Sequence, residues 1–248
     1  MPIEIRQRAP ALAALALLLP LSAPAAEGPS LPPAGNDVRN HDSLQRGARN
    51  FMNYCSGCHS AMFVRYNRVA ADLGIPEAEL KANLMFTSDK SFDTIRSSLS
   101  AADAVKWFGI VPPDLSLIAR ARGTDYLYAY LRSFYADASR PTGVNNVVLP
   151  GTAMPHVLVN LQGLQTAVFK SEPGEATPVF DHFEPAAPGS LSREQYDEFV
   201  RDTVNFLQYI GEPIEVKRRN LGVWVTLFLM AFTAFAYLLN KEYWRDVH

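Results

Sequence analysis

The 248-residue sequence predicts a mainly α domain with long loops, followed by a single C-terminal transmembrane helix. Three observations carry that expectation. Apolar residues recur at helical spacing in several stretches, with no sustained period-two alternation. Clusters of Pro and Gly separate those stretches and read as connecting loops. Leu221 to Leu239 runs about 19 residues without a charge, long enough at ~1.5 Å per residue to cross the hydrocarbon core.

Composition is that of an ordinary globular chain, with room for one sizeable domain or two small ones. A formal net charge of -2 gives no reason to expect nucleic acid as a partner. The N-terminus has a different character. Arg6 and Arg8 form a positive n-region, Ala11 to Leu19 a short apolar h-region, and Ala23-Pro24-Ala25 a small-residue cleavage site. Residues 1–25 are therefore expected to be a secretory signal, committing the domain after them to export.

The elements can be justified in chain order. Glu27 to Asn40 is rich in Pro and Gly and reads as an extended arm. Asp42 or Ser43 can cap a helix carrying Leu44, Ala48, Phe51 and Met52 on one face. Gly47 inside it costs about 1 kcal/mol against alanine, so close helix packing is the expected compensation. Ala61 to Leu73 reads as a further helix, ended by Gly74. Pro76 opens a short one through Leu84. Ala101 to Phe108 is closed by Gly109, and Thr124 caps a helix with the stripe Tyr126, Leu127, Tyr130, Leu131 and Phe134. Lys170 to Gly189 reads as a loop rich in Pro and acidic residues. Ser192 and Gln195 form a capping box for the best specified helix. Its apolar face is Tyr196, Phe199, Val200, Val204, Leu207 and Ile210, and Gly211 and Pro213 stop it.

Trp224 and Tyr237 lie near the ends of the apolar segment and Trp244 just outside, as an aromatic belt would. Lys217, Arg218 and Arg219 precede it, whereas Lys241 and Arg245 come after it beside Glu242 and Asp246. Basic residues alone would put the wrong end inside; the export signal overrides that count. The expected layout is a periplasmic domain over 26–212, a basic juxtamembrane segment over 213–220, the membrane helix over 221–239 and a cytoplasmic tail over 240–248.

The chemistry centres on Cys55-Ser56-Gly57-Cys58-His59. Cys-x-x-Cys-His is the attachment signature of c-type haem. Two thiols about one helical turn apart can add to the two vinyl groups of one porphyrin, and the histidine then supplies the proximal ligand. A thioredoxin-like site would need a preceding βαβ pattern, and a zinc knuckle further ligands. The chain has two cysteines only, and His41, His156, His182 and His248 do not cluster. An N-terminal helix entering the motif and a C-terminal helix leaving the domain suit a cytochrome c-like haem domain, in which the two cross.

A second axial ligand must come from elsewhere. Met85 sits beside a helical run and reads as core packing; Met154 lies in the irregular stretch Pro150 to Pro155, where Pro155 stiffens the path. His156 competes two residues further on. Val111-Pro112-Pro113-Asp114-Leu115-Ser116 is a stiff turn in which Asp114 or Ser116 can cap the next residues. Arg120 and Arg122 are candidates for haem propionates, since guanidinium pairs carboxylates bidentately.

The stretches CSGCHS, FVRYNRVAADLG, KWFGIVPPDLSLIARARG and AMPHVLVNLQG, in this order and with one C-terminal apolar helix after them, resemble the cytochrome c1 family. The resemblance runs from about Asn40 to the end. It implies covalent haem c held by Cys55 and Cys58, with His59 and Met154 as axial ligands. It also implies Arg122 at a haem propionate, and Pro113, Ile118 and Tyr126 near the ring. Pro150-Gly151-Thr152-Ala153 is the stretch that does not match the family's pattern. The family function would be transfer of single electrons from a Rieske iron–sulfur protein to a soluble or anchored cytochrome c. This takes place beside cytochrome b in the inner-membrane ubiquinol–cytochrome c reductase, and the chain is not catalytic alone. The rivals are an anchored cytochrome c serving a terminal oxidase and a haem enzyme with an open coordination site. Glu172, Glu175, Asp181, Glu184, Glu194, Asp197, Glu198 and Asp202, against Arg193 and Arg201, form either an acidic patch for a basic partner or a solvated face.

Overall fold

The computed structural model describes residues 31–171 and 178–246. The expected signal at 1–25 lies outside them, as do Glu172, Glu175 and His248. Asn40, rather than Asp42 or Ser43, caps the first helix: its side chain accepts from the Ser43 N–H, and α1 runs His41–Tyr54 into the cysteine motif. The helix expected from Ala61 begins instead as a strand, β1 (Ala61–Arg65), and only then becomes α2 (Tyr66–Leu73), ended at Gly74 with φ 64°. Tertiary partners explain the change. The β1 amides of Met62 and Phe63 donate to Asp114 and Ser116, and the strand pairs with β2 (Thr94–Ile95). Between them lies α3 (Glu77–Asn83), with Pro76 as the residue just before it.

Ser100 caps α4 (Ala101–Phe108) by accepting from the Asp103 N–H, and Gly109 at φ 74° closes it as expected. Next come α5 (Ile118–Arg122) and α6 (Thr124–Arg132). Thr124 caps nothing; it is the first helical residue, after Gly123. The stripe stops short as well. Phe134 opens β3 (Phe134–Ala136), paired antiparallel with β4 (Val144–Asn146). After the single turn α7 (Val159–Gln162), the expected loop over 170–189 proves to be largely strand. β5 (Gly163–Lys170) and β6 (Val179–Pro188) form a long antiparallel pair, Gly163 opposite Pro188 and Lys170 opposite Val179. Register shifts at Leu164/Gln165 and Val168/Phe169 break the alternation that would have marked it. Helices nevertheless dominate the fold.

The capping box is present. Ser192 accepts from the Gln195 N–H and Gln195 accepts from the Ser192 N–H, starting α8 (Arg193–Gly211). α1 and α8 cross over Gly47, where a Cβ would lie 2.1 Å from the Asp202 carbonyl oxygen and 2.7 Å from the Phe206 Cβ. Only glycine lets the backbones meet so closely. Leu44, Ala48, Phe51 and Met52 are buried there against Val200, Val204, Phe206, Leu207 and Ile210. A polar knot ties the same crossing. Buried Asp202 accepts from Ser43 Oγ at 2.6 Å and from Arg46 Nε at 2.6 Å, and Asn205 donates to Ser43 at 2.9 Å. The N-terminal arm is not free either: Ala34 is buried, donates to Asp125 at 2.8 Å and accepts from Arg201 at 3.0 Å.

α9 (Glu215–Tyr243) starts after a three-residue turn, so Leu221 to Leu239 is the middle of a longer helix. Among the described residues it is the one helix long and apolar enough to cross a membrane. Its start is clamped to the domain. Glu212 pairs with Arg218 and, at 3.3 Å, with Arg120; buried Glu215 accepts from Gln208 at 3.0 Å and pairs with Arg219 at 2.7 Å.

Candidate haem site

The cysteine motif folds as a tight turn over the end of α1. Cys55 N–H donates to the Phe51 carbonyl, and Ser56 Oγ to the Met52 carbonyl at 2.7 Å. Cys58 and His59 amides both return to the Cys55 carbonyl, at 3.1 and 2.8 Å. Both thiols are free and half-buried. Desolvation, then the neighbouring Cys58, pushes the Cys55 thiol up to about 12, which keeps it protonated. Ser97 Oγ donates to the Gly57 carbonyl at 2.9 Å and holds the outer edge of the turn.

His59 is oriented by Pro113. Nδ1 lies 2.7 Å from the Pro113 carbonyl oxygen. A carbonyl can only accept, so Nδ1 carries the proton and Nε2 is left with its lone pair. Burial holds the imidazole below its usual range, opposed by that hydrogen bond and by Asp114, and the ring stays neutral at pH 7. The Pro-Pro-Asp-Leu-Ser stretch is clipped along β1. Asp114 accepts from Met62 N–H at 2.9 Å and Ser116 from Phe63 N–H at 3.1 Å, while Leu115 N–H donates to the Ser60 carbonyl at 2.8 Å. Asp114 and Ser116 therefore serve the strand beside them. Leu117 precedes α5, with no side-chain cap.

The two arginines part company. Arg120 is committed to Glu212 at the start of the anchor helix. Arg122 is exposed, pairs with no carboxylate among the described residues, and lies 5.5 Å over the Tyr126 ring. From there an aromatic ladder runs at four-residue steps. Tyr126 stacks on Tyr130 at 6.2 Å, and Tyr130 meets Phe134 edge-on at 5.2 Å. Ile118 is half-buried against the core.

Met154 is held at the ladder's middle. Tyr130 Oη lies 3.4 Å from the Met154 sulfur and 2.9 Å from Thr152 Oγ1. Burial pushes the Tyr130 hydroxyl above the usual phenol range, so it remains a donor. Gly151, at φ 80°, makes the turn before it; its amide donates to Asn145 and its carbonyl accepts from Arg140, both at 2.8 Å. His156 has a different fate. It is 7% exposed, stacks on the Phe134 ring at 5.0 Å and 2°, and burial lowers its pKa to about 4. It is a neutral core residue. Met85 is packed against the core.

One continuous segment, 111–134, thus accepts from His59 near its start and holds Met154 near its end. The donor set fits a c-type haem: two free, half-buried thiols, one imidazole with a defined tautomer, one half-buried thioether, and a guanidinium with no carboxylate partner among the described residues. Sequence reasoning did not single out Thr152, or Tyr130 beyond its place in the stripe. The step of four from Arg122 through Tyr126, Tyr130 and Phe134 is the signal that could have found Tyr130.

Fold and site define a class, the c-type cytochrome domain carried on a single anchor helix. The model of the Cytochrome C1 family matches residues 36–163 and 178–247. A protein described as cytochrome c1 from Allochromatium vinosum is 50% identical over 240 residues, covering 96% of this chain and 98% of that one. One described as an ammonia monooxygenase gamma subunit, from Nitrosomonas europaea, is 47% identical and covers 86% of both chains. Cytochrome c1 from Rhodospirillum rubrum is 30% identical, covering 82% of this chain and 81% of its own. The chain belongs to the cytochrome C1 family. With the family come haem, electron transport and the membrane.

Proposed function

We propose that this chain is the cytochrome c1 subunit of a ubiquinol–cytochrome c reductase, passing single electrons from a Rieske iron–sulfur protein to a cytochrome c. The observation that supports the reading is a His59 whose tautomer is set by Pro113, on a segment that further along holds Met154 through Tyr130. Bound haem c would supply a one-electron iron couple, and Met/His ligation would leave no position vacant for a substrate. Cys55 and Cys58 would provide the thioether links, and His59 and Met154 would ligate the iron. Arg122 would meet a propionate, with Pro113, Ile118 and Tyr126 beside the ring. The chain has no catalytic step of its own; quinol oxidation belongs to the assembled complex.

On this reading residues 1–25 are removed, 26–212 lie in the periplasm, α9 crosses the inner membrane and 240–248 face the cytoplasm. Cytochrome b and the Rieske protein are the partners in the membrane. The name carried by the Nitrosomonas relative would put the same carrier in another assembly. Purification of the native membrane complex separates the two, because recovery without cytochrome b and a Rieske protein would sink the reductase assignment. Carbon monoxide difference spectra test the remaining rival. A six-coordinate haem should bind the gas poorly, whereas an enzyme with an open position would bind it well.

A further inference from the structure

We propose that the cavity on the outer face of the β1–β2 pair binds a phosphate group, held by Arg65, Arg96 and Thr94. The site is built from residues that take no part in the haem site, so it stands independently of the function proposed above. The cavity has a volume of about 340 Å³, and Thr87, Ser88 and Asp93 complete its polar lining. Strand pairing brings the cations together. Arg65 stands opposite Thr94, and Arg96 comes two residues after that threonine. Opposite residues of an antiparallel pair share a face, as do residues two apart along a strand. Val64 and Ile95, which alternate with them, are 3% and 0% exposed. One face is thus spent on the core, and both guanidiniums are left on the other.

Like charges on one face oppose each other. Arg65 donates to the Phe92 carbonyl, and the Arg96 carbonyl accepts from Thr87 Oγ1 at 2.8 Å, but neither guanidinium meets a carboxylate among the described residues. Asp93, the acid in the lining, accepts instead from Ser88 Oγ at 2.7 Å. The cavity therefore gathers spare N–H donors and an excess of positive charge. A carboxylate would satisfy one guanidinium with its two oxygens. Two guanidiniums and the Thr94 hydroxyl call for more oxygens on one centre, which a tetrahedral phosphate has.

The frame is set before the ligand arrives. Tyr66, 1% exposed, shares a hydrogen bond with Thr87 at 3.1 Å, and Thr87 is tied in turn to the Arg96 carbonyl. Binding then orders little besides two arginine side chains. It also braces β1, whose Met62 and Phe63 amides hold Asp114 and Ser116.

The phosphate can come from solution or from an anionic lipid headgroup, and the test separates the two. Full-length, haem-loaded protein in phosphatidylcholine nanodiscs is titrated calorimetrically with inorganic phosphate in about 150 mM chloride, which screens fields beyond about 8 Å. Saturable binding of one phosphate per chain is expected, with a melting temperature raised by phosphate and not by added chloride. Arg65→Gln and Arg96→Gln should each weaken binding about tenfold, and Thr94→Val should weaken it less. Arg49→Gln, on the exposed side of α1 and outside the cavity, should leave it unchanged. Retention of the haem absorption spectrum checks that each variant is folded. Absence of saturable binding to the unsubstituted protein overturns the proposal, and so does equal affinity in the variant that lacks both Arg65 and Arg96. Phosphatidylglycerol nanodiscs identify the source. Weaker uptake of inorganic phosphate there assigns the site to a lipid headgroup, and unchanged uptake assigns it to free phosphate.

Discussion

Met154 and His156 stand two residues apart and are directed to opposite tasks. Pro155 limits the backbone on both sides of it, so the two side chains cannot exchange places by a small rotation. The thioether meets Tyr130, while the imidazole is buried behind Phe134. Met154→Leu should abolish the sulfur-to-iron band and open the haem to carbon monoxide, whereas His156→Gln should keep the band. Loss of the band in the second variant and its survival in the first would reverse the assignment. Gly47 is the other residue on which much depends. An added Cβ would meet backbone, at 2.1 Å from the Asp202 oxygen, and backbone cannot step aside as a side-chain tip can. Gly47→Ala should destabilise the protein by about 3 kcal/mol, at the upper end for overpacking. In a thermal melt that is a fall of roughly 10 °C.

At the scale of elements, α8 is the frame to which the rest is attached. It crosses α1 at Gly47, carries Asp202 for the polar knot, and hands over to α9 through Glu212. Its start relies on the capping box, and Ser192→Ala should cost about 1 kcal/mol in a denaturant titration of the haem domain. An unchanged midpoint would mean that burial of the apolar face sets the helix without help from its cap. The expected loop at 170–189 shows what periodicity misses. β6 is largely exposed and β5 mostly half-buried, their alternation is broken by two register shifts, and Phe169 of one meets Phe180 of the other edge-on at 6.2 Å. That contact is cross-strand, so a window along β6 alone sees Pro and acidic residues interrupting its apolar ones.

For the molecule as a whole, the anchor helix and the distribution of surface charge are what experiment can test. Cutting after Glu212 should release a soluble domain that retains haem, because the α1–α8 crossing is complete by Gly211. A truncated protein that stays with the membrane fraction would reveal a second anchor. A reporter at His248 should be cytoplasmic, against the raw count of basic flanks. The acidic patch is thinner in three dimensions than in the sequence. Asp202 is buried and pairs with Arg46, Asp197 pairs with Arg132 at 2.6 Å, and Asp181 pairs with Lys170 at 2.6 Å; Glu172 and Glu175 lie outside the described residues. Charges already paired steer little. Replacing Glu184 and Glu194 by Gln should therefore change association with a basic cytochrome c by less than about twofold. A tenfold fall would restore the patch as a dock.

What the sequence determined by itself is whatever a short run of residues can specify. The cysteine motif, the capping box at Ser192, the helical stripes and the long uncharged segment are all local patterns, and local patterns survive without knowledge of the partner. Tertiary structure decided the rest because the deciding partner lies far along the chain. Ala61–Arg65 became a strand since its amides found Asp114 and Ser116 some fifty residues on, and Arg120 went to Glu212 while Arg122 stayed free. Asn40 displaced Asp42 and Ser43 as cap because Ser43 was claimed by Asp202. Met154, His156 and Met85 were chemically open alternatives in the sequence. Packing gives them different surroundings: the His156 ring is buried on Phe134, Met85 packs against the core, and the Met154 sulfur lies beside the Tyr130 hydroxyl.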